Sequence, residues 1–171
     1  QGSNTISVLN STPGAFTQMT IPVTFGTLTC VSGTNWNGNS QLDAVIGLDI
    51  PGTSKDEFRL ILDLMSGGST GPIFTIPNAE IDDNLYTDAP TTVEGSDRNG
   101  WGFVGGTEKG RVLRAQPGST TLTAVLSLED NNSSISAIVV EDLDDDGGDG
   151  LLDVVAASAD RGFLYLFEGQ T

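Results

Sequence analysis

Three apolar segments of this 171-residue chain each close on a glycine, and the closing residues Gly67, Gly118 and Gly169 stand 51 residues apart. The segments are Leu60 to Gly67, Arg111 to Gly118 and Leu164 to Gly169. A turn precedes each one: Gly52-Thr53-Ser54-Lys55-Asp56, Gly106-Thr107-Glu108-Lys109-Gly110 and Ala159-Asp160-Arg161-Gly162. Each unit therefore ends in a hairpin. A unit of this size cannot bury its own apolar face and must stack on its neighbours, so the period restricts the fold to a repeat array. We read a single β-repeat domain with an N-terminal arm over 1–16 and approximate repeats at 17–67, 68–118 and 119–169.

Short apolar or alternating runs bounded by Gly, Pro, Asn or Asp predict strands. They cover residues 20–25, 44–48, 58–62, 121–128, 137–140, 154–157 and 163–167. The stretch from Lys55 to Met65 has apolar residues at helical offsets, but its place in the hairpin pattern predicts a strand. Trp101 to Gly105 is expected to supply the first hairpin strand of the second repeat, because Pro90 interrupts the earlier run.

A second periodicity accompanies the first. Asn35, Asn37, Asn39 and Asp43 fall at offsets 0, 2, 4 and 8, and Glu80, Asp82, Asn84 and Asp88 repeat them. In the third repeat Asp145, Asp149 and Asp153 take offsets 0, 4 and 8. Alternating oxygen donors in a tight loop suit a hard cation, since calcium takes about 6–8 oxygens at roughly 2.3–2.6 Å. Residues 142–153 are the richest case: Asp142, Asp144 and Asp146 alternate, Gly147 and Gly148 allow a sharp turn that can present a carbonyl, and Asp149 and Asp153 follow. Unpaired, so many carboxylates would repel one another. The first loop carries one formal charge, at Asp43, and reads equally as an Asx turn closed by hydrogen bonds. The second lacks a glycine after Asn84. Flanking runs 137–140 and 154–157 read as strands, which excludes a helical EF-hand.

The run Ile138 to Gly147, followed by Leu152-Asp153-Val154-Val155-Ala156 and by Gly162 to Gly169, resembles an FG-GAP or VCBS-type repeat. The match is good over 137–169, fair over 33–67 and weak over 78–118. The resemblance implies an all-β fold of about three four-stranded repeats, either a partial β-propeller or an open β-sandwich. It also implies Ca2+ ligands at Asp142, Asp144 and Asp146. The family's closing acid would fall at Gly150, so the shell closes on Asp153 or shifts register to Asp145, Asp149 and Asp153. Propellers usually have about 4–8 blades. Three repeats leave edges and apolar surface to be covered.

Charge narrows the function. Asp and Glu number 23 against 7 Lys and Arg, a net charge of −16. Such a chain repels phosphate backbones and anionic membranes and attracts divalent cations. It has no His, the commonest general base and the usual zinc ligand. Paired acids such as Asp82 and Asp97 exist in any acid-rich chain, and with no nucleophile elbow or phosphate loop we expect no catalysis. Hydrophobic residues are 37% of the chain, enough for a packed core and too many for disorder. Cys30, the single cysteine, is expected to be a buried thiol. Gln1 in place of Met predicts a mature secreted chain, with Asn10, Asn131 and Asn132 as glycosylation candidates.

These readings converge on an extracellular, calcium-binding structural or adhesive protein that self-assembles into a filament, tubule or surface layer. The competing expectation is a carbohydrate-binding or cell-adhesion module, with Trp36, Trp101, Tyr86 and Tyr165 as stacking faces for glycans. Assembly would use strand pairing, and the alternating run Thr5 to Leu9 is a candidate added strand.

Overall fold

The computed structural model describes residues 4–12, 15–23, 26–52, 55–96, 101–143 and 152–169. The fold is all-β, as expected, with no α-helix among the described residues. A long hairpin comes first: β1 (Asn4–Thr12) pairs antiparallel with β2 (Ala15–Val23). Thr5 to Leu9, the expected added strand, therefore pairs within its own chain.

The first sheet orders β3 (Thr27–Thr34), β4 (Asp43–Asp49), β5 (Glu57–Leu62) and β6 (Ser69–Thr75). The Lys55 to Met65 stretch thus holds a strand, followed by one 3-10 turn over Leu64–Ser66. Next come the small hairpin of β7 (Ala79–Ile81) and β8 (Asn84–Tyr86). The second sheet orders β9 (Pro90–Gly95), β10 (Phe103–Thr107), β11 (Arg111–Ala115) and β12 (Thr123–Ser127). The third has three strands: β13 (Ile135–Glu141), β14 (Asp153–Ser158) and β15 (Phe163–Phe167).

The sheets stack face to face in chain order, with their first strands gathered together. β9 packs between β3 and β13. This stacking of antiparallel sheets is consistent with a partial propeller and with an open sandwich alike. Cross-links fasten the gathered strands: Thr34 Oγ1 donates to the Ser96 carbonyl at 3.0 Å, and the Gly95 N–H donates to Ser32 Oγ at 3.0 Å.

Strand alternation explains the burial. In β4, Ala44, Ile46 and Leu48 face a cluster with Ile6, Ile61 and Leu64, so Ile6 of the β1–β2 hairpin packs on the back of the first sheet. Val45 points the other way, with Phe58, Leu60 and Phe74, into a core shared with Val93, Phe103, Leu113 and Ala115 of the second sheet. Val104 and Val112 leave the far side of the second sheet and meet Ile135, Ile138, Val154 and Ala156 of the third. A strand covered on both faces reads as a continuous apolar run.

Aromatic rings centre the first interface. Phe103 lies 5.4 Å from Phe58, 5.5 Å from Phe74 and 6.0 Å from Trp36, ring centre to ring centre. Two glycines in β10 permit the close stacking. A side chain on Gly105 would enter the Phe58 ring, and one on Gly106 would strike Ile135 of the third sheet.

The sheets divide the chain differently from the glycine period. Pairing sets Val45 opposite Leu60, Val104 opposite Arg114 and Val155 opposite Leu166. Measured from those pairs the closing glycines lie at unequal distances. Gly67 caps the 3-10 turn in a left-handed conformation with φ 97°, whereas Gly169 donates its N–H to Asp153. Equal spacing in sequence thus does not mark equal places in the fold.

Candidate functional site

Strand β4 begins with Asp43, which has no solvent exposure. Its Oδ2 accepts the N–H groups of Trp36 at 2.8 Å and Asn37 at 3.3 Å, and its Oδ1 accepts that of Asp63 at 2.8 Å. One carboxylate therefore ties the loop before the hairpin to the residue just after it. Asp153 begins β14 and does the same: Oδ2 accepts the Leu143 N–H at 2.9 Å, and Oδ1 accepts the Gly169 N–H at 2.8 Å. A carboxylate that accepts several backbone N–H groups is a strong structural fastener.

Asn37 and Asn39 join the Asp43 cluster through a residue that the sequence did not single out. Both side-chain amides donate to Asp63 Oδ1, Asn39 at 2.7 Å and Asn37 at 3.4 Å. Their oxygens accept the N–H groups of Asn39 at 3.1 Å and Gln41 at 2.6 Å, successive Asx turns. Asp63 sits in the left-handed region at φ 55°. Hydrogen bonds close this first loop in the present arrangement.

The second set is laid out otherwise. Asp82 and Asp83, at φ 51° and 62°, form the two-residue turn between β7 and β8, a primed hairpin turn. Glu80, Asp82 and Asn84 are exposed on this hairpin. Asp88 is buried in an ion pair with Arg111, whose Nε donates at 2.6 Å, and also accepts the Lys109 N–H at 2.8 Å. Glu80, Asp82 and Asp88 are not gathered into a ligand group, nor is any other trio of acids among the described residues.

In the third loop Asp142 and Asp153 are described, while Asp144, Asp145, Asp146, Gly148 and Asp149 lie outside the described residues. The loop joins two paired strands, since Glu141 stands opposite Asp153. Asp97 also lies outside the described residues.

At the same end of the molecule a cavity of about 570 Å³ opens where the gathered strands finish. Residues 39–42 of the first loop form one wall, and Glu141 and Leu152, which flank the acidic loop, form another. Glu94 and Gly95 of β9 complete it.

Of the four aromatic residues expected as sugar-stacking faces, Trp36 is buried and Tyr86 is 38% exposed. Trp36 is in the core, the Arg114 guanidinium covers the Trp101 ring at 4.2 Å, and Lys109 lies 5.9 Å over Tyr86. Tyr165 is half-buried and meets Phe163 edge-on. Asn131 and Asn132 are exposed; the hydroxyl residue of the first triplet, Ser133, is fully buried, and that of the second, Ser134, is half-buried. Cys30 is half-buried against the first core, and burial pushes its thiol above the ordinary value of 9.0.

Burial also pushes the carboxyls of Asp88 and Asp56 up from the ordinary 3.8, although Arg111 and a backbone N–H oppose the rise at Asp88. An acid whose folded value lies above its unfolded one favours the fold most when protonated. That contribution is complete below pH 3.8 and lost as pH rises through the higher folded value. Glu129, lowered by the Ser127 hydroxyl, works in the opposite sense. Glu94 is raised like Asp88 and Asp56, and acidification also relieves the −16 charge. In chelator, the melting temperature should rise as pH falls from 7 toward the ordinary carboxylate range. A steady fall over that range would contradict the assignment.

Neither a scan against protein-family models nor a search of curated proteins finds a match to this chain.

Proposed function

We propose that this chain is an extracellular, calcium-binding structural or adhesive subunit of the FG-GAP-like type, which assembles with further copies of itself. The observation that carries the proposal is the open face of the third sheet. Register places Ala137, Ala157 and Leu164 in one row and Val139, Val155 and Leu166 in the next. Val139 is 52% exposed, Leu166 59% and Leu164 75%. The corresponding face of the first sheet, with Val45 and Leu60, is buried by the second sheet, and that of the second by the third. An apolar sheet face of this kind marks an interaction surface.

A second copy supplies the cover. In the next copy Ile6 of the β1–β2 hairpin packs on the back of the first sheet, so the contact joins the third sheet of one copy to the hairpin end of the next. A head-to-tail contact of this kind gives a ring or a filament. Among the described residues the third sheet also lacks the fourth strand present in the other two, which leaves β15 as an edge able to pair. Copies that each carry −16 repel, and calcium on the loop 142–153 offsets that repulsion. Calcium ligands there, and an extracellular location where calcium is plentiful, belong to the same reading.

Sedimentation of the chain in calcium and in chelator tests it. Mass should increase with concentration in calcium, and dissociation should follow chelation. A single monomeric species under both conditions would overturn the proposal.

A further inference from the structure

We infer that Asn37 is a modification site: its side-chain amide deamidates through the Gly38 nitrogen, which places an added acid against Asp63 and loosens the first loop. Among the described residues Asn37 is the one asparagine followed by glycine. Both residues are exposed, and Gly38 sits at φ 71° with no side chain to shield its nitrogen.

The loop favours ring closure. Asn37 Oδ1 accepts the Asn39 N–H at 3.1 Å, an Asx turn whose ring encloses the Gly38 nitrogen and keeps it near Asn37 Cγ. The same N–H is aimed at the oxygen that becomes negative when that nitrogen adds to Cγ. Asp63 Oδ1 holds the Asn37 amide loosely, at 3.4 Å, whereas the Asn39 amide is fastened at 2.7 Å and precedes Ser40.

In the reaction the Gly38 nitrogen gives its proton to water and bonds to Cγ. The Cγ–Nδ2 bond breaks, and the amide nitrogen takes a proton from water and leaves as ammonia. Water then opens the succinimide, adding its hydroxyl to one carbonyl carbon and its hydrogen to the ring nitrogen. Opening at one carbonyl gives aspartate, and at the other isoaspartate, in which the main chain runs through the side-chain carbon. Either product puts a carboxylate where an amide donated to Asp63, beside the Asp43 that anchors the N–H groups of Asn37 and Asp63. Like charges then replace a hydrogen bond.

The test is peptide mass spectrometry of the full chain after incubation at pH 8 in chelator, both folded and unfolded in urea. In the folded protein residue 37 should convert at least roughly tenfold faster than Asn39 and Asn132. Gly38→Ala, which shields the nitrogen, should slow conversion at residue 37 roughly tenfold or more. Alanine is strained at that φ, so Asn37→Gln is the second variant: its longer side chain must close a larger ring, and conversion should stop. The converted form carries an added negative charge, separates by anion exchange, and should melt below the parent. Three results would each overturn the inference. They are no conversion at residue 37 in the fold while the unfolded chain converts, equal conversion at Asn39, and unchanged melting of the converted form.

Discussion

Asp43→Ala is expected to remove about 3–5 kcal/mol of folding stability, and to do so equally with calcium or with chelator present. The carboxylate is fully buried and accepts three backbone N–H groups, from Trp36, Asn37 and Asp63. Truncation leaves all three unmatched. Each unmatched buried donor costs about 1–3 kcal/mol, reduced where water can reach, as at Asn37 and Asp63. Denaturant titration measures the loss. Asp160→Ala, at an exposed turn, should change stability by less than about 0.5 kcal/mol and serves as the comparison. The chelator arm separates two roles. Were Asp43 mainly a metal ligand, the variant and the parent would converge once calcium was withdrawn. A difference that survives chelation identifies the hydrogen bonds as the cause.

Phe103→Ala should cost about 3–5 kcal/mol, the usual range for removing a buried aromatic ring. Phe103 is fully buried and touches Trp36, Phe58 and Phe74, so its loss opens a void at the centre of the first inter-sheet core. Gly105, two residues on, is already filled by the Phe58 ring. Collapse into the void would have to move that ring off the glycine. Phe163→Ala, at a residue 58% exposed, should cost less than about 1 kcal/mol. A Phe103→Ala loss below about 1 kcal/mol would show that the two sheets do not share this core.

Alternation and turn chemistry made most strands legible. Ala44 to Leu48, Phe58 to Leu62 and Phe163 to Phe167 lie in β4, β5 and β15 as their apolar runs predict. Contacts between distant residues were harder to read. Offsets 0, 2, 4 and 8 look alike at Asn35 and Glu80, yet Asp82 and Asp83 take positive φ and make a hairpin turn. The short alternating flanks Ala79 to Ile81 and Asn84 to Tyr86 were the available signal. Asp88 meets Arg111 across 23 residues of sequence and Asp43 meets the Asp63 N–H across 20, and no local pattern announces either pairing. Asp43 and Asp153 each stand first in a buried strand, in Asp43-Ala44-Val45 and Asp153-Val154-Val155, a position that offers the carboxylate to backbone N–H groups on either side of the hairpin.

The central claim, assembly through the third sheet, is tested most directly by charging that sheet's open face. Leu164→Glu with Leu166→Glu alters two exposed side chains outside the three cores, so the variant should melt like the parent. Sedimentation in calcium over a hundredfold range of concentration is the decisive measurement. We expect the parent to grow with concentration and the variant to remain monomeric. A folded variant that assembles like the parent would contradict the account.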